Sequence, residues 1–533
     1  MESGLYTQKE KNEARSKLII NAIESLTTRR KESMLLDEEY INKMLENFVG
    51  LINLYLEKKN EILPEDFCEI LKNKSINFLN SKYHKKNKAD LKVLYLSGPE
   101  PVNDLNILLE NGISPSNIWA IEGDNQTYKK ALQNLKNNSS YIKIHKGSLK
   151  DFFEFCPEHF DIVYYDACTP ICSNEYNPLY VLEKLFANRR LTELSILITN
   201  FSEPNENTWD EWGKLLACWY TSRYEECPQS THEEYSDVNY RLSDIEGYAQ
   251  FISKRIPEYY SDFIRRFMSS LASEIVPFSK ITSFKALSSK LFKENKYKDL
   301  LDEKIEVDKI TKPEDLLKII PHHILSPESY PLLNWVFLTQ ENLPVNHPMN
   351  KFLLENGKKI LNSILVCTHL KSFEESYSGY NTLFKEIYSD QLLKVMNDID
   401  FFDREIRLTL DIPMKNLIAE LLIGQYAFPY ISNADKHYSI KYKADGKKTW
   451  MYSDIFVFDQ CRYLYDLLPS LELIEDYFKD SIDEQIIIRC FIDGILRNHV
   501  AYNRNFFEFG FIESLYDDKY GYSLLKEREN LNI

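Results

Sequence analysis

Five short apolar runs between residues 91 and 205 each end in side chains able to do chemistry. The first closes on Ser97-Gly98-Pro99-Glu100 and the second on Glu122-Gly123-Asp124. The third closes on Lys146-Gly147-Ser148, the fourth on Asp166-Ala167-Cys168-Thr169-Pro170 and the fifth on Thr199-Asn200-Phe201. A glycine turn lets backbone approach a ligand closely. An ionised carboxylate only accepts hydrogen bonds, so Glu122, with Asp124 as second choice, matches a ligand carrying two neighbouring hydroxyls. Asp166 is placed to hold or deprotonate a reacting group, against the plainer reading of a helix cap. Cys168 raises the idea of a thiolate nucleophile; a buried or spectator thiol is the preferred reading.

The elements that must position these residues follow from the apolar pattern. LKVLYLS, IWAIE, YIKIHKG, FDIVYYD and LSILITN read as strands, and VNDLNILLE, NQTYKKALQNLKNN and YVLEKLFANRR read as helices between them. That alternation predicts right-handed crossovers and a doubly wound, mostly parallel α/β sheet of Rossmann-like form. Ligands of such sheets bind at the carboxyl ends of the strands, near the point where strand order reverses. All five polar clusters lie at those ends.

This layout resembles the class I S-adenosylmethionine-dependent methyltransferases over residues 91–205. The resemblance implies S-adenosylmethionine as cofactor. Ser97, Gly98, Pro99 and Glu100 would meet its methionine part, Glu122, Gly123 and Asp124 its ribose, and Gly147 and Ser148 its adenine. It further implies Asp166 as the catalytic group, with Thr169, Pro170, Asn200 and Phe201 around the methyl acceptor. The chain departs from the family at the first motif. Tyr95 stands where an acid often lies, Gly98 is the turn's one glycine, and Glu100 or Asp104 is left to supply a carboxylate. Asp166-Ala167-Cys168-Thr169-Pro170 is out of register with the D-A-P-C of RNA carbon-5 enzymes, and the Pro-Pro-aromatic motif of base-amino enzymes is absent.

The rest of the chain reads mainly as helix. Residues 1–90 form an N-terminal helical segment, with Leu36, Tyr40, Met44, Phe48 and Leu51 near one face. Residues 206–533 form a large helical region for substrate recognition or interaction, with a β-hairpin at about 436–459 around Asp445-Gly446. Lys436, Lys441, Lys443, Lys447 and Lys448 with Tyr438, Tyr442, Trp450 and Tyr452 would suit stacked bases and phosphates, as would Arg497 and Arg504. The preferred reading is a solvated lysine face. In a variant, the two arms of the hairpin complete the sheet and the helical region is an insert after the fifth strand.

Composition bounds the function. Glycine and proline number 15 and 20 in 533 residues, which favours long helices and excludes collagen-like or linker classes. Lys and Arg total 65 against 81 Asp and Glu, a net charge of −16, so any nucleic-acid contact would be local. The nine cysteines are scattered without CxxC pairs, and no signal peptide or membrane span is recognised, which points to a cytoplasmic chain with reduced thiols. No metal site is expected; a Cys168, Cys172, Cys227 and His232 set has no recognised zinc spacing. His322, His323 and His347 read as surface or core histidines. The expected function is methyl transfer to a macromolecule, nucleic acid or protein. The alternatives are a catalytically degenerate scaffold or subunit of a larger complex and, more distantly, another nucleotide-binding enzyme, although G-x-G-x-x-G is absent.

Overall fold

In a computed structural model the five runs form β1 (Val93–Leu96), β2 (Ile118–Glu122), β3 (Lys143–Lys146), β4 (Phe160–Asp166) and β5 (Leu191–Ser202). The structure describes residues 9–35, 64–223, 235–281, 331–356, 430–443, 448–460 and 525–532, together with 38, 62, 227 and 462. Leu36, Tyr40, Met44, Phe48, Leu51, His232, His322, His323, Asp445, Gly446, Lys447, Arg497 and Arg504 lie outside the described residues.

β1 pairs with β2 and β4, β2 with β3, and β4 with β5, all in parallel. The order β3-β2-β1-β4-β5 reverses between β1 and β4, which opens a crevice at their carboxyl ends. The central strands β1, β2 and β4 are buried almost throughout, as parallel strands covered on both faces must be. β3 differs because it is the edge: Lys143, His145 and Lys146 are exposed, and the Lys143 ammonium sits 3.5 Å over the Trp119 ring. A short helix, Leu149–Phe155, follows β3 and was not foreseen.

The sheet continues beyond β5 with strands drawn from far along the chain. β8 (Met451–Asp459) runs antiparallel to β5 from Leu194↔Asp459 to Ser202↔Met451. β7 (Tyr438–Tyr442) is antiparallel to β8, β6 (Ile431–Ser432) also pairs with β8, and β9 (Glu529–Asn530) adds in parallel to β7. The hairpin arms thus belong to the sheet, and the division drawn at residue 205 separates in sequence what hydrogen bonding holds together. Periodicity identified the arms. It carries no record of which distant strand they pair with.

The helix Lys9–Leu26 packs on this sheet through Ala14, Leu18 and Ala22, spaced one turn apart. Its first turn reaches the carboxyl end of β4 through Lys11. The chain just after it reaches the opposite end, where the Leu35 amide donates to Asp459 Oδ2 at 3.0 Å. Tyr83 donates to the other oxygen of Asp459 at 2.9 Å, fixing the approach to β1.

Residues between β5 and β6 supply the helices Trp209–Ser222, Ile245–Ser253, Ile256–Ser270 and Pro331–Asn342. Trp219, fully buried, meets Phe263, Phe267 and Trp335 edge-on at 5.1, 6.1 and 4.8 Å. These helices are tied to the sheet's business end: the Ile171 amide, in the turn after β4, donates to Tyr260 Oη at 3.2 Å. Among the described residues no helix is long and apolar enough to cross a membrane.

His347 gives this region a pH signature. It is 7% exposed, its Nδ1 accepts from the Met349 amide at 3.2 Å, and burial drives its pKa down to about 4. The unfolded imidazole titrates near 6.5. Its folded pKa is depressed, so the folded protein binds fewer protons. Stability is full above about pH 6.5 and falls as pH drops toward 4. The expected loss is about 2–3 kcal/mol over that window. Urea unfolding of wild type and His347→Gln at pH 7, 5.5 and 4 checks it, since only the variant should lack this part of the slope.

Candidate active site

The turn after β1 is braced from beneath. Tyr95, at the strand position where an acid was looked for, donates its hydroxyl to the Pro101 carbonyl at 3.0 Å. Ser97 Oγ donates to the Gly98 carbonyl at 2.9 Å. Gly98 has φ +55°, a left-handed conformation that favours glycine, and nothing lies within 4 Å of where a Cβ would stand. The turn therefore presents bare backbone to open space. Pro99 is half-buried, and Glu100 accepts from Asn103 Nδ2 at 3.1 Å.

Glu122 ends β2 half-buried, with Oε1 accepting the Asp124 amide at 2.8 Å. Burial raises its pKa, against the lowering effect of the Asp124, Gly123 and Gly98 amides. The Ser97 amide donates to the Ile121 carbonyl at 3.0 Å, which brings the start of the β1 turn beside the end of β2. Asp124 is fully exposed and caps the helix Asn125–Asn137 by accepting from the Thr127 amide at 2.7 Å. Ser148 likewise caps the helix Leu149–Phe155 through the Asp151 amide at 3.1 Å. Both cap, so Glu122 is the better ligand group of the two acids. Gly147 donates its amide to the Glu122 carbonyl at 2.9 Å, and its carbonyl lies 3.6 Å from a Cβ position at Gly123. The backbone of the β2 and β3 ends is thus in close contact, with the His145 imidazole 2.8 Å from where a Cβ at Gly147 would stand.

Beside this cradle, Asp166 gathers partners from three other elements. Its Oδ1 accepts from Asn200 Nδ2 at 2.7 Å and from Cys168 Sγ at 2.8 Å, and its Oδ2 lies 3.1 Å from Lys11 Nζ. Asn200 Nδ2 also donates to Tyr442 Oη at 3.2 Å, and Ser453 Oγ donates to Asn200 Oδ1 at 2.8 Å. Burial alone would raise the Asp166 pKa; Lys11 and the hydrogen bonds from Cys168 and Asn200 outweigh it and hold the carboxyl below its usual range. The Asp166 charge in turn holds Lys11 firmly protonated against the opposing pull of burial. Burial beside Asp166 pushes the Cys168 thiol well up, which makes a poor thiolate. Cys168, at φ +55°, is nevertheless exposed as a residue, while the Lys11 and Asp166 side chains keep only 14% and 17% of their surface, so the group reaches solvent at one edge.

The remaining candidates divide. The Thr169 carbonyl accepts the Ser202 amide at 3.2 Å and the Pro170 carbonyl accepts the Ser173 amide at 3.0 Å, so both shape the turn after β4. Phe201 is fully buried against Tyr165, in the core and not along the cleft wall, as alternation along β5 requires once Asn200 faces Asp166. Asp104 does not replace the missing acid of the first motif. It is buried in the helix Val102–Glu110 and paired with Arg15 at 2.8 Å. Of the hairpin aromatics, Tyr442 and Tyr452 are core, while Trp450 is covered by Lys443 and Lys441 at 4.5 and 5.7 Å from its ring centre.

Sequence reasoning missed Lys11, Arg15 and Ser453, and considered Tyr442 only as part of a hairpin face, with base stacking as the less favoured use. Lys11 stands 155 residues from Asp166 in the chain, and nothing in its local sequence marks it. The signal available was the variant in which the hairpin joins the sheet, which carries Tyr442 and Ser453 to Asn200.

No family model and no curated protein matches this chain. Among solved structures, PKMT2 from Rickettsia typhi, in complex with AdoHcy, aligns at 15% identity and a TM-score of 0.20, over 36% of this chain and 38% of its own. The plantazolicin methyltransferase BamL, solved with a triazolic desmethylPZN analog and SAH, aligns at 12% identity and a TM-score of 0.18, over 46% of this chain and 75% of its own. These likenesses are coarse and local, and they say nothing of what this chain acts on. The architecture is a mixed, parallel-dominated sheet with flanking helices, of Rossmann-like form.

Proposed function

We propose that this chain is an S-adenosylmethionine-dependent methyltransferase acting on a macromolecular acceptor. One observation carries the reading. Glu122 and the bare Gly98 turn meet at the crevice where strand order reverses, next to an ionised Asp166. The residues fit the cofactor. Gly98 leaves room at the β1 turn, Glu122 offers a half-buried acceptor for ribose hydroxyls, and Gly147 makes room for the His145 imidazole, which lies 2.8 Å from where its Cβ would stand and offers a ring beside the adenine side. When bound, S-adenosylmethionine supplies an electrophilic methyl group on a sulfonium.

The protein's own part is orientation. Asp166 is held in place by Asn200, which Ser453 fixes, so an acceptor reaching Oδ2 is aimed rather than merely bound. A carboxyl held below its usual range is better at holding a cationic acceptor than at taking a proton. The helices between β5 and β6 brace the turn after β4 through Tyr260, and their bulk suits a large acceptor better than a metabolite. The division into an N-terminal segment, a catalytic sheet and a helical recognition region remains part of this proposal, with the sheet completed by β7 and β8.

Titration calorimetry with S-adenosylmethionine tests the reading. Wild type is expected to bind in the micromolar range, and Glu122→Ala to weaken binding by about 10–100-fold through loss of charge-assisted hydrogen bonds. The second reading, a scaffold without catalysis, is favoured by the single glycine of the β1 turn and by Lys11 already lying on Asp166. Absence of cofactor binding by the wild type would select it.

A further inference from the structure

The acceptor end of the sheet already holds an amine. Lys11, in the first turn of the helix Lys9–Leu26, brings its Nζ to 3.1 Å from Asp166 Oδ2 and 3.8 Å from Cys168 Sγ. The two carboxylate oxygens have separate duties. Oδ1 takes the Asn200 amide and the Cys168 thiol, and Oδ2 takes the ammonium. The Asn200 amide is not free to turn over, because Ser453 Oγ donates to its Oδ1. The result is one oxygen of a fixed carboxylate directed at a cation on a four-carbon stem. A neutral acceptor in that place would leave the largely covered Asp166 carboxylate without its countercharge, which is unfavourable.

We infer, resting on the methyltransferase reading, that the acceptor subsite is built for the primary amine of a protein lysine, and that Lys11 occupies it in cis until a substrate lysine takes its place. Nucleic acids carry no alkyl ammonium, so the inference commits to a protein acceptor. Displacing Lys11 requires only the first turn of its helix to open. That turn precedes Ala14, the first fully buried apolar residue, so little core is exposed. In the transfer, the incoming lysine ammonium gives one proton to water, and its nitrogen lone pair forms the new N–CH3 bond. The bond from methyl carbon to the donor's sulfonium sulfur breaks with its electron pair on sulfur, leaving a neutral thioether. The product is a secondary ammonium that still matches Asp166.

The test uses the full chain and n-butylamine as the lysine side-chain probe, with n-butanol as the neutral control. In the absence of methyl donor, butylamine is expected to raise the Tm of Lys11→Ala, leave wild type unchanged, and fail on the Lys11→Ala, Asp166→Asn double variant. Butanol should do nothing. Lys11→Ser is read in the same way if Lys11→Ala does not fold. With donor present, Lys11→Ala should yield N-methylbutylamine, detected by mass spectrometry. Equal response of Lys11→Ala to butylamine and butanol, or no gain over wild type, overturns the inference. Donor binding measured separately on wild type keeps the two failures apart. Donor binding without amine preference sinks the amine subsite alone. Amine preference without donor binding sinks the methyltransferase reading, and the acceptor role with it.

Discussion

Asp454→Ala is expected to cost about 3–5 kcal/mol of folding free energy, the typical penalty for leaving a buried charge without its partner. Asp454 sits in β8 with no exposure to solvent. Its Oδ1 accepts from His437 Nε2 at 2.9 Å and lies 2.8 Å from Arg528 Nη1 as an ion pair, and its Oδ2 accepts from Arg528 Nη2 at 2.9 Å. Arg528 also donates to Ser261 Oγ at 2.7 Å, to the Ser261 carbonyl at 2.9 Å and to the Ser453 carbonyl at 3.2 Å. One guanidinium therefore ties the sheet to the helix Ile256–Ser270 and to the segment that carries β9. Burial lowers the His437 pKa against the pull of Asp454, so the imidazole is neutral and its Nε2–H is the donor. Removing Asp454 strands Arg528 and His437 together. Denaturant unfolding of Asp454→Ala, Arg528→Met and the double variant checks this. The double variant should be less destabilised than the two single losses summed, because it leaves no orphaned charge. Additive losses would mean the network is not a unit.

Asp166→Ala is expected to lower kcat/KM for methyl transfer by about 10²–10³-fold, the range for removing one preorganised electrostatic group. Its effect on cofactor binding should be small, because Glu122 and the Gly98 turn are what meet the ribose and methionine parts in the proposal. Asp166→Asn keeps the shape and loses the charge, so it should recover little of the rate if holding a cation is the role. A large loss of cofactor affinity in either variant would move Asp166 from the acceptor side of the site to the cofactor side. Calorimetry and single-turnover rates on the same preparations separate the two.

How much of this was legible beforehand depends on distance along the chain. The five parallel strands and their polar ends could be read because each strand is a local apolar run and each end a local turn. Glu122 and Asp166 stood out because a strand end fixes where a side chain emerges. What β1 does with Tyr95 was not legible: its hydroxyl finds the Pro101 carbonyl, a contact that depends on the path of the turn. Ser148 and Asp124 looked like ligand groups and serve as helix caps, since the same oxygen suits both duties. Phe201 looked like a wall and is core, because β5 is twelve residues long and covered along its length, not a short strand ending in a cleft. Lys11 could not be found at all, since an ordinary lysine in a helical segment gives no sign of the carboxylate it will meet.

The pairing of β5 with β8 has a consequence for how the protein is made. β5 is buried along almost its whole length, with apolar side chains at six of its twelve positions, and its partner lies roughly 250 residues later, at Met451–Asp459. At typical elongation rates of about 5–20 residues per second, β5 emerges from the ribosome about 12–50 s before the strand that covers it. Throughout that interval it is a long, sticky edge able to pair with a neighbouring nascent chain. A nonsense mutation between Ser202 and Met451 would therefore yield a chain primed to aggregate, rather than a shorter stable protein.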